Sequence, residues 1–174
     1  MSGQGVFPVD VETKPQRLAM LWDLHHERLY RLARRLAPSL EDALDLVQET
    51  FLRAARRPDS LPVGHSQEEA WLVRVLVNIR RDQWRKASVL VRRSAEALTM
   101  AEVRDPESAF IAKAAVWQAL DIPPPRRRAV VVLYELEGLA IPAIASLLGI
   151  SPITVRWHLS MGRRSLKLAL GDFR

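Results

Sequence analysis

Apolar positions along this chain recur at intervals of three, four and seven, and almost nowhere do they alternate. From Pro15 onward Leu18, Leu21, Trp22, Leu29, Leu32 and Leu36 predict a first helix, which Pro38 ends. Ser39 is placed to cap a second helix, whose buried side is marked by Leu40, Ala43, Leu44, Val47, Phe51 and Ala54. Pro58 to His65 reads as a loop, with two prolines and a glycine. Ser66 with Glu69 three residues on predicts a capping box opening a third helix. Periodicity fades over residues 86–105. Asp105-Pro106-Glu107 then signals a new helix, supported by Phe110, Ile111, Ala114, Val116, Trp117 and Leu120. A further helix is expected from Arg126 to Leu136. Its Ala-Val-Val-Val-Leu-Tyr run can pass for a strand, but its helical neighbours argue against that.

The most informative stretch is Gly138 to Arg164, which has the layout of a helix-turn-helix. Ala145 lets two helices approach, Gly149 makes the turn, and Val155 anchors the second helix. Ser151 can cap that second helix and Pro152 fits its first turn. The same pattern also suits an ordinary helical hairpin. The chain is therefore expected to be all-α, as two small helical bundles joined by a linker. Residues 1–14 read as a flexible tail, 15–88 as the first domain, 89–105 as the linker, and 106–174 as the helix-turn-helix domain.

Charge adds a direction to this picture. The chain carries 26 Lys and Arg against 20 Asp and Glu, which favours a polyanionic partner. It has no cysteine, which excludes disulfides and thiol chemistry. No targeting segment is expected, since the N-terminal stretch lacks a basic start followed by an apolar run. The uncharged run from Gly138 to Val155 is broken by glycine and proline and fails as a membrane span. The chain is expected to be soluble and cytoplasmic, without a membrane partner. His25, His26, His65 and His158 fall in no recognisable metal or nucleophile motif, and no catalytic constellation or cofactor is expected.

Two helices carry asymmetric charge. The second begins with Glu41, Asp42, Asp45 and Glu49 and ends with Arg53, Arg56 and Arg57, an order that suits the helix dipole and equally suits an acidic docking face. On the third, Trp71, Leu72, Val75, Leu76 and Ile79 share one face, while Val73, Val77 and Trp84 lie on another. Between them runs a stripe of Arg74, Asn78, Arg81 and Arg85. Arginine suits phosphate, asparagine suits base edges, and tryptophan can stack on an unpaired base. A solvated basic face is the alternative.

Taken in order, these pieces resemble a bacterial RNA polymerase sigma factor, and more narrowly the small two-domain extracytoplasmic-function group. EDALDLVQETFLRAAR is similar to that family's polymerase-docking helix, and AWLVRVLVNIRRDQWRK to its promoter-melting segment. The stretch from Ile122 through the helix-turn-helix is similar to its second domain. The resemblance covers roughly residues 18 to 170. It implies that Asp42, Asp45, Leu46, Gln48, Glu49 and Phe51 meet the clamp helices of the polymerase's largest subunit. It implies that Arg74, Asn78, Arg81, Trp84 and Arg85 contact the minus-ten element at the upstream edge of the melted bubble, while the loop at Pro58 to His65 holds a flipped base. Thr154, Arg156, Trp157, Ser160, Arg163 and Arg164 are the implied contacts to the minus-thirty-five element, with Arg126 to Arg128 on phosphates. Further implied partners are the flap of the second-largest subunit and an anti-sigma protein, which nothing in the sequence identifies.

The chain departs from the family pattern at Trp157, His158, Met161 and Gly162, where a small polar residue, arginine, arginine and alanine are usual. Gly162 within a helix costs about 1 kcal/mol relative to alanine. Ala140 replaces the usual polar cap. The reading that follows is a non-enzymatic initiation factor that binds core polymerase, recognises promoter DNA and promotes strand opening. A polymerase-independent regulator using only the helix-turn-helix, and a non-initiating sigma-like interaction protein, are the alternatives.

Overall fold

The computed structural model describes residues 14–94 and 124–171, all of the regular structure among them helical. Helix α1 spans Lys14–Leu36, α2 Leu40–Arg56 and α3 His65–Ser94. A single 3₁₀ turn at Pro58–Ser60 lies between α2 and α3. Helix α4 spans Pro125–Val131, α5 Ile141–Leu148 and α6 Pro152–Gly171. The expected tail at 1–14, apart from Lys14 at the start of α1, lies outside the described residues, as do the remainder of the linker and the helix expected after Asp105. Helix α3 runs through residues 89–94, so the first part of the expected linker is helical.

Capping explains where the helices begin. The Asp42 N–H donates to Ser39 Oγ at 3.0 Å, and the Ser39 hydroxyl donates to Asp42 Oδ2 at 2.5 Å. At α6 the Thr154 N–H donates to Ser151 Oγ at 3.1 Å, as expected from the sequence. The capping box expected at Ser66 does not form. Helix α3 starts one residue earlier, with the Gln67 and Glu68 N–H groups on the Gly64 carbonyl at 3.0 and 2.9 Å. Glu69 is turned instead to α1, where its Oε1 accepts from Arg28 Nε at 2.8 Å. A cross-helix ion pair offers Glu69 more than a solvent-exposed cap.

The first three helices pack through Leu21, Leu29, Leu32 and Leu36 of α1, Leu46, Val47 and Phe51 of α2, and Leu72 and Leu76 of α3. Leu40 and Leu44 are corrections: they lie 55% and 45% exposed, because the inner side of α2 is instead the row Ala43, Leu46, Val47, Thr50 and Ala54. Thr50 is buried at no cost in hydrogen bonding, since its hydroxyl donates to the Leu46 carbonyl at 2.7 Å. Val73 and Val77 of α3 are buried as well as Leu72 and Leu76. Helix α3 needs this breadth because it is packed by α1 and α2 on one flank and by α4 and α5 on the other.

The Val130–Tyr134 stretch is helical, as its neighbours required. Its last turn loosens to a π-turn over Val132–Leu136, where the Glu137 N–H donates to the Val132 carbonyl at 3.1 Å. Helix α5 ends in a Schellman motif. Gly149 takes φ 63°, the Ile150 N–H reaches the Ala145 carbonyl at 3.0 Å, and the Gly149 N–H reaches that of Ser146 at 3.3 Å. Gly162 has a different reason. A Cβ there would lie 2.4 Å from Val131 Cγ2, so the missing side chain lets α6 cross α4 closely. Val155 and Leu159 on the same helix are both buried.

Candidate functional site

The exposed side of α2 combines charge and apolar surface. Glu41, Asp42, Asp45 and Gln48 face solvent, and between them stand the exposed Leu40, Leu44 and Leu52. Glu49 is half-buried and its Oε1 accepts from Arg53 Nε at 3.1 Å. Leu46 and Phe51 do not belong to this surface. Leu46 has no exposure and Phe51 is buried against Trp22, with ring centroids 4.7 Å apart, because the helical period turns both inward. Leu40, Leu44 and Leu52 take their place in the outer row. Sequence reasoning assigned two of these leucines to the core.

At its end α2 presents Arg53, Arg56 and Arg57 to α3. Together with Glu49, Trp71, Val75 and Asn78 they line a cleft of about 370 Å³. Three guanidinium groups beside an indole and an amide can hold phosphate while an unpaired base stacks. These arginines were missed as site residues because their position at a helix C-terminus already had an electrostatic explanation. A second cavity of about 370 Å³ lies under the loop, lined by Pro15, Arg17, Leu18, Ala54, Ala55, Pro58, Asp59 and Leu61. Arg17 Nη2 donates to the Pro62 carbonyl at 2.9 Å and holds the far side of that loop to α1.

The arginine stripe of α3 does not act as one surface. Asn78 opens on the arginine cleft. Arg81 donates through Nε and Nη2 to Asp82 Oδ1 at 3.2 and 3.1 Å. Trp84 is half-buried and Arg85 exposed. Arg74 is engaged elsewhere: its Nε donates to the Leu147 carbonyl and its Nη2 to the Ser146 carbonyl, each at 2.9 Å. Those carbonyls end α5, the first helix of the helix-turn-helix. A guanidinium there satisfies two terminal acceptors and opposes the negative end of the helix dipole.

Other polar contacts repeat this joining of the two halves. The Glu137 carboxylate, 9% exposed, accepts from Arg28 Nη1 and Arg35 Nη1 of α1. Arg128 is buried, and its Nε donates to the Arg35 carbonyl at 2.8 Å. Its expected role on a phosphate is therefore not open to it here: the side chain is directed into the interface between the halves.

In the helix-turn-helix, Arg156, Trp157, Ser160 and Arg164 are exposed on α6. Thr154 is half-buried, and its hydroxyl shares a 2.8 Å hydrogen bond with Ser151, so it serves the cap. Arg163 is exposed but paired: Nε and Nη2 lie 2.7 and 2.6 Å from Glu135 Oε1, and its guanidinium sits 5.3 Å from the Tyr134 ring centroid. The Glu135 carboxylate holds its pKa above the ordinary arginine value. Trp157 is 53% exposed, with the Arg127 guanidinium 5.4 Å from its ring centroid and His158 edge-on at 4.9 Å. That cation–π contact gives the exposed indole a partner. Burial, and then the positive charges of Arg127 and Arg126, hold the His158 pKa below the usual imidazole value. Burial and the charge of Arg81 likewise lower that of Arg126.

Two helical bundles rich in exposed arginine, the second built around a helix-turn-helix, define a DNA-binding transcription protein. The sequence pattern of Sigma-70 region 2 matches residues 21–89, and that of Sigma-70, region 4 matches residues 113–166. The ECF RNA polymerase sigma factor SigE of Mycolicibacterium smegmatis is 36% identical over 179 residues, an alignment that takes in 95% of this chain and 66% of SigE. The chain thus spans just under two-thirds of that relative. ECF RNA polymerase sigma factor SigM of Mycobacterium tuberculosis is 32% identical over 87% of this chain and 76% of its own. In three dimensions the chain is similar to the sigma factor RpoE in complex with the anti-sigma factor NepR from Bartonella quintana. There the TM-score is 0.65 at 25% identity, over 93% of this chain and 100% of that one. It shares its fold with CnrH in complex with the cytosolic domain of CnrY, at TM-score 0.61 and 24% identity, over 91% of this chain and 90% of that one. The chain belongs to the extracytoplasmic-function group of bacterial RNA polymerase sigma factors. Among the described residues no helix is long and apolar enough to cross a membrane.

Proposed function

We propose that this sigma factor docks on core RNA polymerase through the outer face of α2 and opens promoter DNA with α3 and the adjoining loop. The observation that carries this reading is the arginine cleft behind the docking face. Glu49 and Arg53 belong to both α2 and the cleft, so one short helix joins a protein-binding surface to a nucleic-acid surface. The clamp helices of the largest polymerase subunit would meet Leu40, Glu41, Leu44, Asp45 and Gln48. The melted minus-ten strand would lie along Arg53, Arg56, Arg57 and Asn78, with a flipped base in the cavity beneath the loop. Base flipping needs a pocket for the extruded base, and the cavity at the loop, lined by Pro58, Asp59 and Leu61 with Arg17 beside them, supports this reading.

The exposed Arg156, Trp157, Ser160 and Arg164 of α6 support recognition of the minus-thirty-five element in the major groove. Arg163 is the phosphate contact of that set, and reaching DNA requires it to leave Glu135. Arg74 can reach the bubble only once it releases α5. We infer that the packed arrangement of the two halves is that of the free protein and that they separate on polymerase. An anti-sigma protein as partner, and action in the cytoplasm, come from the family. The protein is read as a non-enzymatic factor.

The decisive experiment measures binding of the purified chain to core RNA polymerase without DNA, then promoter-specific run-off transcription. Binding through the first domain and specific transcripts support the proposal. Promoter binding that occurs without any affinity for core polymerase would sink it in favour of an independent regulator.

A further inference from the structure

His25 on α1 is among the most buried polar side chains of the molecule, at 1% exposure, and its Nε2 has no hydrogen-bond partner. A buried imidazole nitrogen with no partner is an exception that calls for a cause. Around it stand His65 and Glu69, four residues apart on one side of α3. The His25 and His65 ring centroids are 4.9 Å apart. One donor atom from each of His25, His65 and Glu69 lies within 4.8 Å of the others. Glu68 Oε2 lies 3.5 Å from His25 Nε2, too long for a strong hydrogen bond.

We propose that His25, His65 and Glu69 form a binding site for a single first-row divalent transition metal ion of the zinc class. Two imidazoles and one carboxylate are a borderline donor set that suits such an ion and is poorly suited to calcium or magnesium. A tetrahedral zinc site with bonds of about 2 Å needs its donor atoms roughly 3.3 Å apart. The exposed His65, in the first turn of α3, has the rotamer freedom to close that distance. Solvent or Glu68 supplies the fourth ligand.

The surroundings are consistent with a metal site. Arg28 donates to Glu69 Oε1 at 2.8 Å, which orients the carboxylate and leaves its other oxygen to coordinate, the usual office of an outer-shell partner. Arg17 lies 3.9 Å from Glu68 and reduces the negative charge around the site without entering it. His65 directly follows the loop at residues 57–64. A bound metal would therefore fasten the end of that loop to α1, where Arg17 already holds the Pro62 carbonyl. This inference concerns the first domain alone and does not depend on any step in transcription.

The test uses the untagged full-length chain and Co²⁺ as a spectroscopic stand-in. Titration should develop visible ligand-field bands saturating at one ion per chain, and Zn²⁺ should abolish them by displacement. His65→Gln, on an exposed side chain, should fold normally by circular dichroism and bind Co²⁺ at least tenfold more weakly. Glu69→Gln should weaken binding as well, and His26→Gln, outside the site, should leave it unchanged. Zn²⁺ should raise the thermal midpoint of the parent chain and not that of His65→Gln. No ligand-field bands in the parent chain would overturn the proposal. Unchanged affinity in both His65→Gln and Glu69→Gln would also overturn it, since the ion would then be held elsewhere.

Discussion

Arg74 of α3 caps the C-terminus of α5 by donating to the Ser146 and Leu147 carbonyls, so one arginine of the α3 stripe holds the two halves of the protein together. In the free protein this guanidinium substitutes for solvent at a helix end. Under the proposed function, the phosphate backbone of promoter DNA is a competing acceptor. On that reading the same cation serves two states, and its two partners exclude each other.

Replacing Arg74 tests its role at the end of α5. Arg74→Ala removes two charge-assisted hydrogen bonds and should weaken the packing of the halves by about 1–2 kcal/mol. Hydrogen exchange in α5 should accelerate. Arg74→Lys keeps the charge at the dipole and should recover part of the loss. Unchanged exchange in Arg74→Ala would show that α5 is held by its apolar contacts alone.

Glu137 is the other junction. Glu137→Gln leaves Arg28 and Arg35 without the carboxylate they share and should cost about 1–3 kcal/mol, since the acid is nearly buried while both arginines are about one-third exposed. Small-angle scattering should report a larger radius of gyration than for the parent. Under the proposed function, affinity for core polymerase should rise, because less packing has to be given up on binding.

At Gly162 helix propensity and packing predict opposite signs. Propensity alone gives Gly162→Ala a gain of about 1 kcal/mol. A methyl group 2.4 Å from the stiff Val131 side chain should instead cost about 1–3 kcal/mol through overpacking. Urea unfolding decides between them. Val131→Ala should relieve the strain, so that the double variant is more stable than additivity allows.

His158 should make stability pH-dependent. Its pKa in the folded protein lies below that of the unfolded chain, so the unfolded chain takes up a proton first as pH falls below about 6.5. Its contribution is therefore complete above that pH, declines on acidification, and levels off below the folded pKa. The loss of urea-unfolding stability between pH 7.5 and 5.5 should be smaller in His158→Gln. An equal loss in both proteins would assign the pH dependence to other groups.

On α2 surface and core should separate cleanly. Asp45→Lys should leave unfolding unchanged within about 0.5 kcal/mol and weaken core-polymerase binding at least tenfold under the proposed function. Leu46→Ala should destabilise the chain by about 2–5 kcal/mol, because it empties a fully buried position. Polymerase affinity measured on the folded fraction should then be near that of the parent.

Much of this molecule can be read from local chemistry. Ser39 and Ser151 announce the starts of α2 and α6, Gly149 the turn between α5 and α6, and Val155 the anchor of α6. Each of these depends on residues no more than a few positions apart. The resemblance that led to the family rests on the same short-range patterns.

Contacts between distant segments were not legible in this way. Periodicity placed Leu40 and Leu44 inside and could not tell that the row through Leu46 and Thr50 is the one that meets α1 and α3. The stripe of Arg74, Asn78 and Arg81 looked continuous, yet its members face α5, the arginine cleft and Asp82 in turn. Gly162 looked like a weakness in a helix until Val131 was found against it. The sequence by itself determined which segments coil and where they stop, since capping, turn geometry and helical period act within one segment. Only the tertiary structure decided which charges pair, which apolar side is covered and which histidines meet. Those outcomes depend on contacts between residues tens of positions apart, and no local period encodes them.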